Sequence, residues 1–543
     1  MEPAEDAASR PAGPRVITAL ACLLVMFVLV APSELGHLTP AALLRIPLDG
    51  LLGIAIVLVL PPRARQVAAV VIGVAFGLLA LLKIAGIGFS TFLDRPFDPV
   101  FDWPFLQSAV VFLKQSFGQV GAIATVIGAV VLALAVLALV TLSFLRITRV
   151  AVGHRRTASL TVALLAVAWV TFGIPGVQLV PEVPIASRDY YDGVLQVQES
   201  LHDKEVFAAE SAVDAFREAT GAEMLTALRG KDVIVALVES YGRVALEDPD
   251  LAPQIGALLD AGNSRLRAAA FHSRSGYLSS PTAGGGSWLA QATLQSGLWI
   301  DNQQRYRQLL DSDRLTLTGA FQRASWRTVA VMPATTGPWP EGEFFGYDRI
   351  YTAGDLNYQG PKYGFATMPD QYTLSTFQRS ERAQQDHAPM MAAIPLVSSH
   401  APWAPVPRLI DWDEVGDGSV FDVVPGAGDA PESVLGRDRN RVRNDYGRAI
   451  GYSLESLISF VETYGDDDLV LVFLGDHQPS PVITGTGASR DVPITIVTRD
   501  RSVLDRIADW GWQEGLKPGP QAPVWRMDTF RDRFLVAFGG QGD

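Results

Sequence analysis

The chain has 543 residues, 48% of them apolar, and a formal net charge of −13. That charge, with no cluster of Lys and Arg in the polar part of the chain, argues against nucleic acid as a partner, because phosphate binding needs clustered cations. One cysteine, Cys22, rules out an intramolecular disulfide framework and a cysteine-built zinc site.

The apolar residues are concentrated before residue 180. A bilayer core needs about 20 apolar residues in a helix. Five segments approach that: 16–31, 42–60, 67–88, 119–145 and 158–180. The second carries Arg45, Pro47 and Asp49, so its start is expected at the interface or inside a bundle. A cleaved signal peptide is the alternative for the first, but "VLVAPSELG" is a poor small-residue cleavage site. Arg10 and Arg15, Arg63 and Arg65, and Arg146, Arg149, Arg155 and Arg156 fall in alternate loops. The positive-inside rule then puts the N-terminus in the cytoplasm and residues beyond 186 outside. The aromatic stretch 89–118 is expected along the outer interface, as an anchor or as part of a lipid substrate's route. Arg far outnumbers Lys and Ala is abundant, which fits a GC-rich bacterial genome and hence a multi-pass protein of the cell (inner) membrane.

This divides the chain into a membrane domain (1–185), a linker with a lead-in helix (186–230) and a soluble domain (231–543). In the last, "DVIVALV" (232–238), "RTVAVM" (327–332), "AAIPLVSS" (392–399), "DLVLVFLG" (468–475) and "PITIVT" (493–498) read as buried strands. Helical patterns separate them at 251–262, 312–324, 439–463 and 527–538, which predicts an α/β fold with a mainly parallel central sheet.

Ligands bind such sheets beyond the carboxyl ends of the strands. There "DVIVALV" runs into Glu239-Ser240, "DLVLVFLG" into Asp476-His477 across Gly475, and "AAIPLVSS" into His400. Glu239, Asp476 and His477 form a carboxylate and imidazole set suited to one divalent ion: Mn, Mg or Zn. Each alone reads equally as an ordinary loop residue. "PTAGGGSWLAQATLQSG" puts Ser287 where a helix starts, a place that favours anions such as phosphate. Ser287 is therefore a candidate nucleophile, with Thr282 as the fallback; a plain helix cap is the competing use. His400, on the stiff "SSHAPWAPVP" loop, is a candidate proton donor on the substrate side, with Trp403 beside it as a candidate substrate contact. His272 and His387 lack companion motifs and read as structural.

In this order, a strand ending in Glu-Ser, a small-residue loop with Ser287, the Ser-Ser-His-Ala-Pro segment and a strand ending in Gly-Asp-His resemble the alkaline phosphatase and sulfatase superfamily. With membrane helices ahead, the chain resembles its lipoteichoic acid synthase and phosphoglycerol transferase branch. The resemblance implies Glu239, Asp476, His477 and Ser287 around one metal, Mn above others. It also implies Ser287 as nucleophile, with His400 and Trp339 at the substrate headgroup. It implies transfer of a phosphoglycerol-type headgroup from a membrane phospholipid donor to a glycan or glycolipid acceptor. A hydrolase of phosphate or sulfate esters and an inactive binding module are the alternatives. Trp288-Leu289-Ala290-Gln291 follows the serine where sulfatases have Pro and Arg, which argues against formylglycine. Pro340-Glu341 follows Trp339 where the synthases place an arginine, so a different headgroup is open.

Overall fold

A computed structural model describes residues 13–32, 45–103, 105–173, 178–180, 183–184, 202–363, 366–384, 387–422 and 438–540. The chain forms two compact units: one of residues up to 91, 95–100 and 121–200, the other of 92–94, 101–120 and 201–543.

Each of the five apolar segments contains a helix among the described residues, but the helices differ in length, and residues 42–44 and 174–177 lie outside the described residues. Helices α1 (Gly13–Val30), α3 (Pro62–Leu93) and the part of α4 (Phe105–Gly153) after Gly118 are long and apolar enough to cross a bilayer. Helix α2 (Leu48–Val59) has 12 residues and α5 (Arg155–Ala168) has 14. Three of the five expected spans thus reach crossing length among the described residues; α2 is a shorter apolar helix, and α5, opening on Arg155-Arg156, is short as well. Pro47 precedes α2 and fixes its late start. Small residues let α3 and α4 approach closely: a Cβ on Gly77 would lie 2.6 Å from Leu137 Cδ1. Cations close the helix ends. Arg65 and Arg155 donate to the carbonyls of Val57, Leu58 and Leu60 at the end of α2. Buried Lys83 donates to Leu29 and Ala31 at the end of α1.

The second unit is an α/β domain around a nine-stranded sheet. Its strands are β1 (Asp232–Val238), β2 (His272–Ser279), β3 (Arg327–Met332), β4 (Arg349–Thr352), β5 (Met390–Leu396), β6 (Leu469–Gly475), β7 (Asp491–Thr498), β8 (Gln513–Glu514) and β9 (Val524–Arg526). They lie in the order β8-β2-β7-β6-β1-β5-β3-β4, with β9 also paired to β2. Strands β6, β1, β5, β3 and β4 are mutually parallel, while β7 runs antiparallel between β6 and β2. The five predicted strands are present. "HSRSGYLS" and "RIYT" were not predicted, because their serines and arginines hide the apolar signal.

Alternation along β1 shows how the sheet is covered. Ile234, Ala236 and Val238 face a core shared with α6 (Ala252–Ala268) and α10 (Arg439–Tyr464). Val233, Val235 and Leu237 face the opposite core, with α7 (Ser287–Ser296) and α11 (Phe530–Phe538). Every β1 side chain is buried, which is why the strand reads as an unbroken apolar run.

Of the expected linker and lead-in helix, residues 186–201 lie outside the described residues. The helix lies at 202–212, while 213–230 forms turns with a short 3-10 segment at Thr226–Leu228. It is also part of the body of the domain. Phe207 is fully buried among Leu289, Ala292, Ile300 and Phe345, and Asp203 pairs with Arg305. Asp214, Arg314 and Arg531 form a buried ion group, with Arg531 Nη2 3.0 Å from Asp214 Oδ1 and Arg314 Nε 3.5 Å from Oδ2.

Candidate active site

The carboxyl ends of β1 and β6, adjacent in the sheet, carry Glu239 and Asp476-His477. Their ligand atoms lie within 4.8 Å of one another, and all three residues are buried. Two backbone features bring the strand ends together. Gly475 has no left-handed φ; it is needed because a Cβ would lie 1.8 Å from the Tyr241 carbonyl oxygen. That close approach, rather than a turn, accounts for the glycine. Ser240 adopts φ 58, a strained value for a non-glycine residue. The turn lets its N–H donate to Asp476 Oδ1 at 2.8 Å and its hydroxyl to Glu239 Oε1 at 2.9 Å. Ser240 thus bridges the two carboxylates, a role the sequence motif did not reveal.

Ser287 enters from across the sheet edge. Gly284, Gly285 and Gly286 all have positive φ, which glycine alone adopts without strain. Gly286 occupies the cap position of α7 and Ser287 is the first helical residue. The serine hydroxyl is therefore not used in capping. It donates to Glu239 Oε2 at 2.8 Å and lies 3.3 Å from His477 Nε2. Ser287 is half-buried, so it reaches the opening above the three buried groups. Thr282 turns its hydroxyl to the Gly285 carbonyl instead, stabilising the loop.

Electrostatics favour a cation here. Burial and the neighbouring Glu239 charge push the Asp476 carboxyl well above its usual range. Glu239 is held low against the cost of burial, chiefly by His477. For His477, burial opposes the charged form, but Asp476 and Glu239 outweigh it and raise the pKa to about 9. Two buried carboxylates sharing one imidazole are a donor set that a divalent ion would neutralise. His477 Nδ1 faces the Gln478 carbonyl at 2.8 Å, which fixes the proton there and aims Nε2 at Glu239 and Ser287. The residues thus fit a hard or borderline divalent metal.

The His400 loop is tied to the same edge. Ser399 donates to the Glu239 carbonyl at 2.6 Å. Asp370, fully buried at the start of α9 (Asp370–Phe377), accepts from the N–H groups of Val397 and Ser398 and from the Ser453 hydroxyl. Burial pushes its carboxyl up. Asp370 thus fixes the loop that carries His400; the "PDQY" helix start was its one sequence signal. His400 is half-buried, and its Nδ1 lies 2.7 Å from the Ala401 carbonyl. Trp403 differs from expectation. It is 5% exposed and packs edge-on against Tyr446 inside the core, so it supports the loop from beneath. Trp339 stacks on Phe345 and borders a narrow cleft along α7 with Gln291, Gln295 and Met332. His272 accepts from Arg501, and His387 lies 3.5 Å from Asp232, both away from this edge.

The sulfatase family model matches residues 282–490, a stretch holding Ser287, His400, Asp476 and His477 but not Glu239. No curated protein matches the chain. Similar solved structures include the lipoteichoic acid synthase LtaP from Listeria monocytogenes, at 15% identity and TM-score 0.37, covering 61% of this chain and 76% of that one. The phosphoglycerol transferase GacH of Streptococcus pyogenes, solved with sn-glycerol-1-phosphate, is 13% identical with TM-score 0.36, covering 62% and 91%. The soluble domain of lipooligosaccharide phosphoethanolamine transferase A from Neisseria meningitidis is 13% identical with TM-score 0.38, covering 59% and 92%. Likeness at this level says nothing of substrate. Behind the apolar helices, residues 282–490 match the sulfatase family model.

Proposed function

We propose that the protein is a membrane-bound phosphotransferase that moves a phospho-alcohol headgroup, of the phosphoglycerol type, from a phospholipid to a glycan or glycolipid through a covalent Ser287 intermediate. The observation that carries the reading is the Ser287 hydroxyl at a helix N-terminus, 2.8 Å from Glu239 and 3.3 Å from His477. Glu239, Asp476 and His477 would hold one divalent ion, with Mn the preferred species and Mg or Zn the alternatives. When bound, it would lower the pKa of the serine hydroxyl and offset charge on the phosphoryl oxygens.

The chain's own groups supply the rest. Ser287 Oγ forms a bond to phosphorus as the bond to the diacylglycerol oxygen breaks, and its proton leaves along the hydrogen bond to Glu239. His400 Nε2 protonates the departing oxygen. The N–H groups at the start of α7 stabilise the phosphoryl charge. In the second half, an acceptor hydroxyl gives its proton to His400 and displaces Ser287. Trp339 meets the headgroup, and Glu341, two residues on, favours one less anionic than an arginine would select. The positive-inside pattern supports a cytoplasmic N-terminus, a catalytic domain outside the cytoplasm and a location in a bacterial inner membrane.

The test is phospholipid turnover by detergent-purified protein with added Mn, comparing wild type and Ser287→Ala. Diacylglycerol release by wild type alone, with phosphoserine at position 287 by mass spectrometry, supports the reading. Equal release by the variant overturns it. Adding an acceptor distinguishes transfer from hydrolysis.

A further inference from the structure

We propose that residues 92–94, 101–103 and 105–120 form a membrane-surface rim built onto the nucleophile loop, holding the mouth of the Ser287 site at the level of lipid headgroups. The inference rests on the phospholipid-donor reading above and adds how the donor is reached.

These residues belong to the compact catalytic unit, although in sequence they lie between membrane helices. They touch the loop that presents Ser287. A Cβ on Gly284 would fall 1.7 Å from the Phe92 carbonyl oxygen, and one on Gly285 would fall 3.1 Å from Leu93 Cδ2. Trp288, the residue after the nucleophile, meets Phe105 with ring centroids 5.2 Å apart. The glycines that free Ser287 from capping thus also admit this backbone.

The same segments carry Phe92, Trp103 and Leu106, which are 61%, 54% and 53% exposed. Chain continuity identifies what meets them. Phe92 and Leu93 end the apolar span Pro62–Leu93, and the next span starts at Gly118. At Gly118 the backbone leaves helical geometry (φ 70, ψ 175), separating the first turns of α4 from the spanning part. Residues just beyond two spans lie where hydrocarbon gives way to headgroups. Aromatic rings favour that depth, having an apolar body and a polar edge. The partner of this surface is therefore the lipid interface itself, and a phosphodiester there lies beside Ser287 without leaving the bilayer.

The test uses the full chain in nanodiscs of phosphatidylglycerol and phosphatidylethanolamine. In a Cys22→Ser background, nitroxides are attached through Trp103→Cys, Leu106→Cys and, as an aqueous reference on the catalytic unit, Val213→Cys, where Val213 is 74% exposed. Positions 103 and 106 should collide several-fold more with oxygen, relative to a water-soluble nickel chelate, than position 213. Equal ratios at all three overturn the rim. In a second arm, Trp103→Ser with Leu106→Ser should raise KM for bilayer phospholipid about tenfold. Mn binding and turnover of a short-chain soluble phosphodiester should be unchanged. Equal loss on both substrates overturns the proposal. If wild type turns over neither substrate, the phosphotransfer reading fails, while the collision data still decide the rim.

Discussion

Gly475→Ala is the sharpest probe of how the site is assembled. The added Cβ would lie 1.8 Å from the Tyr241 carbonyl oxygen and 2.8 Å from its carbon, and Tyr241 is two residues after Glu239. Both sides of the clash are backbone, so no rotamer change relieves it. Real contacts of this kind stay near 3 Å or beyond, so the ends of β1 and β6 must part by roughly 1 Å. Overpacking of this sort costs about 1–3 kcal/mol. The functional loss is larger, since a misplacement of about 1 Å in a catalytic constellation costs about 100-fold. Mn affinity by calorimetry and thermal unfolding in EDTA measure the two effects separately. Gly256→Ala is the control: it lies in helix α6 with its nearest neighbour, the Lys517 ammonium, at 3.5 Å, and should raise stability by about 0.5–1 kcal/mol. A Gly475→Ala protein with wild-type unfolding and Mn affinity would refute the clasp between the two strand ends.

Other outcomes follow from the same contacts. The His477 pKa is raised from 6.5 to about 9, so its contribution to metal-free stability is complete below pH 6.5 and lost as pH rises through 9. That interval is worth on the order of 3 kcal/mol, and denaturant titrations in EDTA across it should show the decline, whereas stability rising from pH 6.5 to 9 would contradict it. Asp214→Ala leaves Arg531 and Arg314 buried beside an empty position and should destabilise the domain by about 3–5 kcal/mol in denaturant melts. A loss below 1 kcal/mol would mean that water takes the place of the carboxylate. His400→Gln should lower turnover about 100- to 10,000-fold while leaving Mn affinity intact; loss of metal along with turnover would instead make it a scaffold residue.

The sheet was legible in the sequence wherever a strand is buried on both faces. "DVIVALV" and "DLVLVFLG" are central strands, and their apolar runs stop where the polar residues of the site begin. The edge and near-edge strands were not legible, because "HSRSGYLS" and "RIYT" mix serines and arginines with few apolar residues. That Glu239, Asp476, His477 and Ser287 lie together was legible because each follows a strand or opens a helix. Ser240 and Asp370 were missed because their hydrogen-bond partners, such as Asp476 for Ser240 and Val397 for Asp370, are brought to them only by folding. Trp403 was misjudged for a related reason: a tryptophan beside a histidine motif gives no sign of which way its ring turns. The five apolar segments were found, but their helical lengths were not, since proline and polar residues trim α2.

Helix 202–212 sets the boundary of any fragment made for study. The matched family stretch starts at residue 282, yet a piece cut there would lose the central strand and Glu239 with it. Starting at 231 would still discard Phe207 and Asp214, leaving an apolar hole against Leu289 and the guanidinium groups of Arg314 and Arg531 with Asp532 as their remaining counter-charge. A fragment from 202 keeps that wall but removes Phe105 from the ring of Trp288. Such a soluble piece should bind metal normally yet be prone to self-association, with the newly bared tryptophan next to its own nucleophile as the adhesive spot.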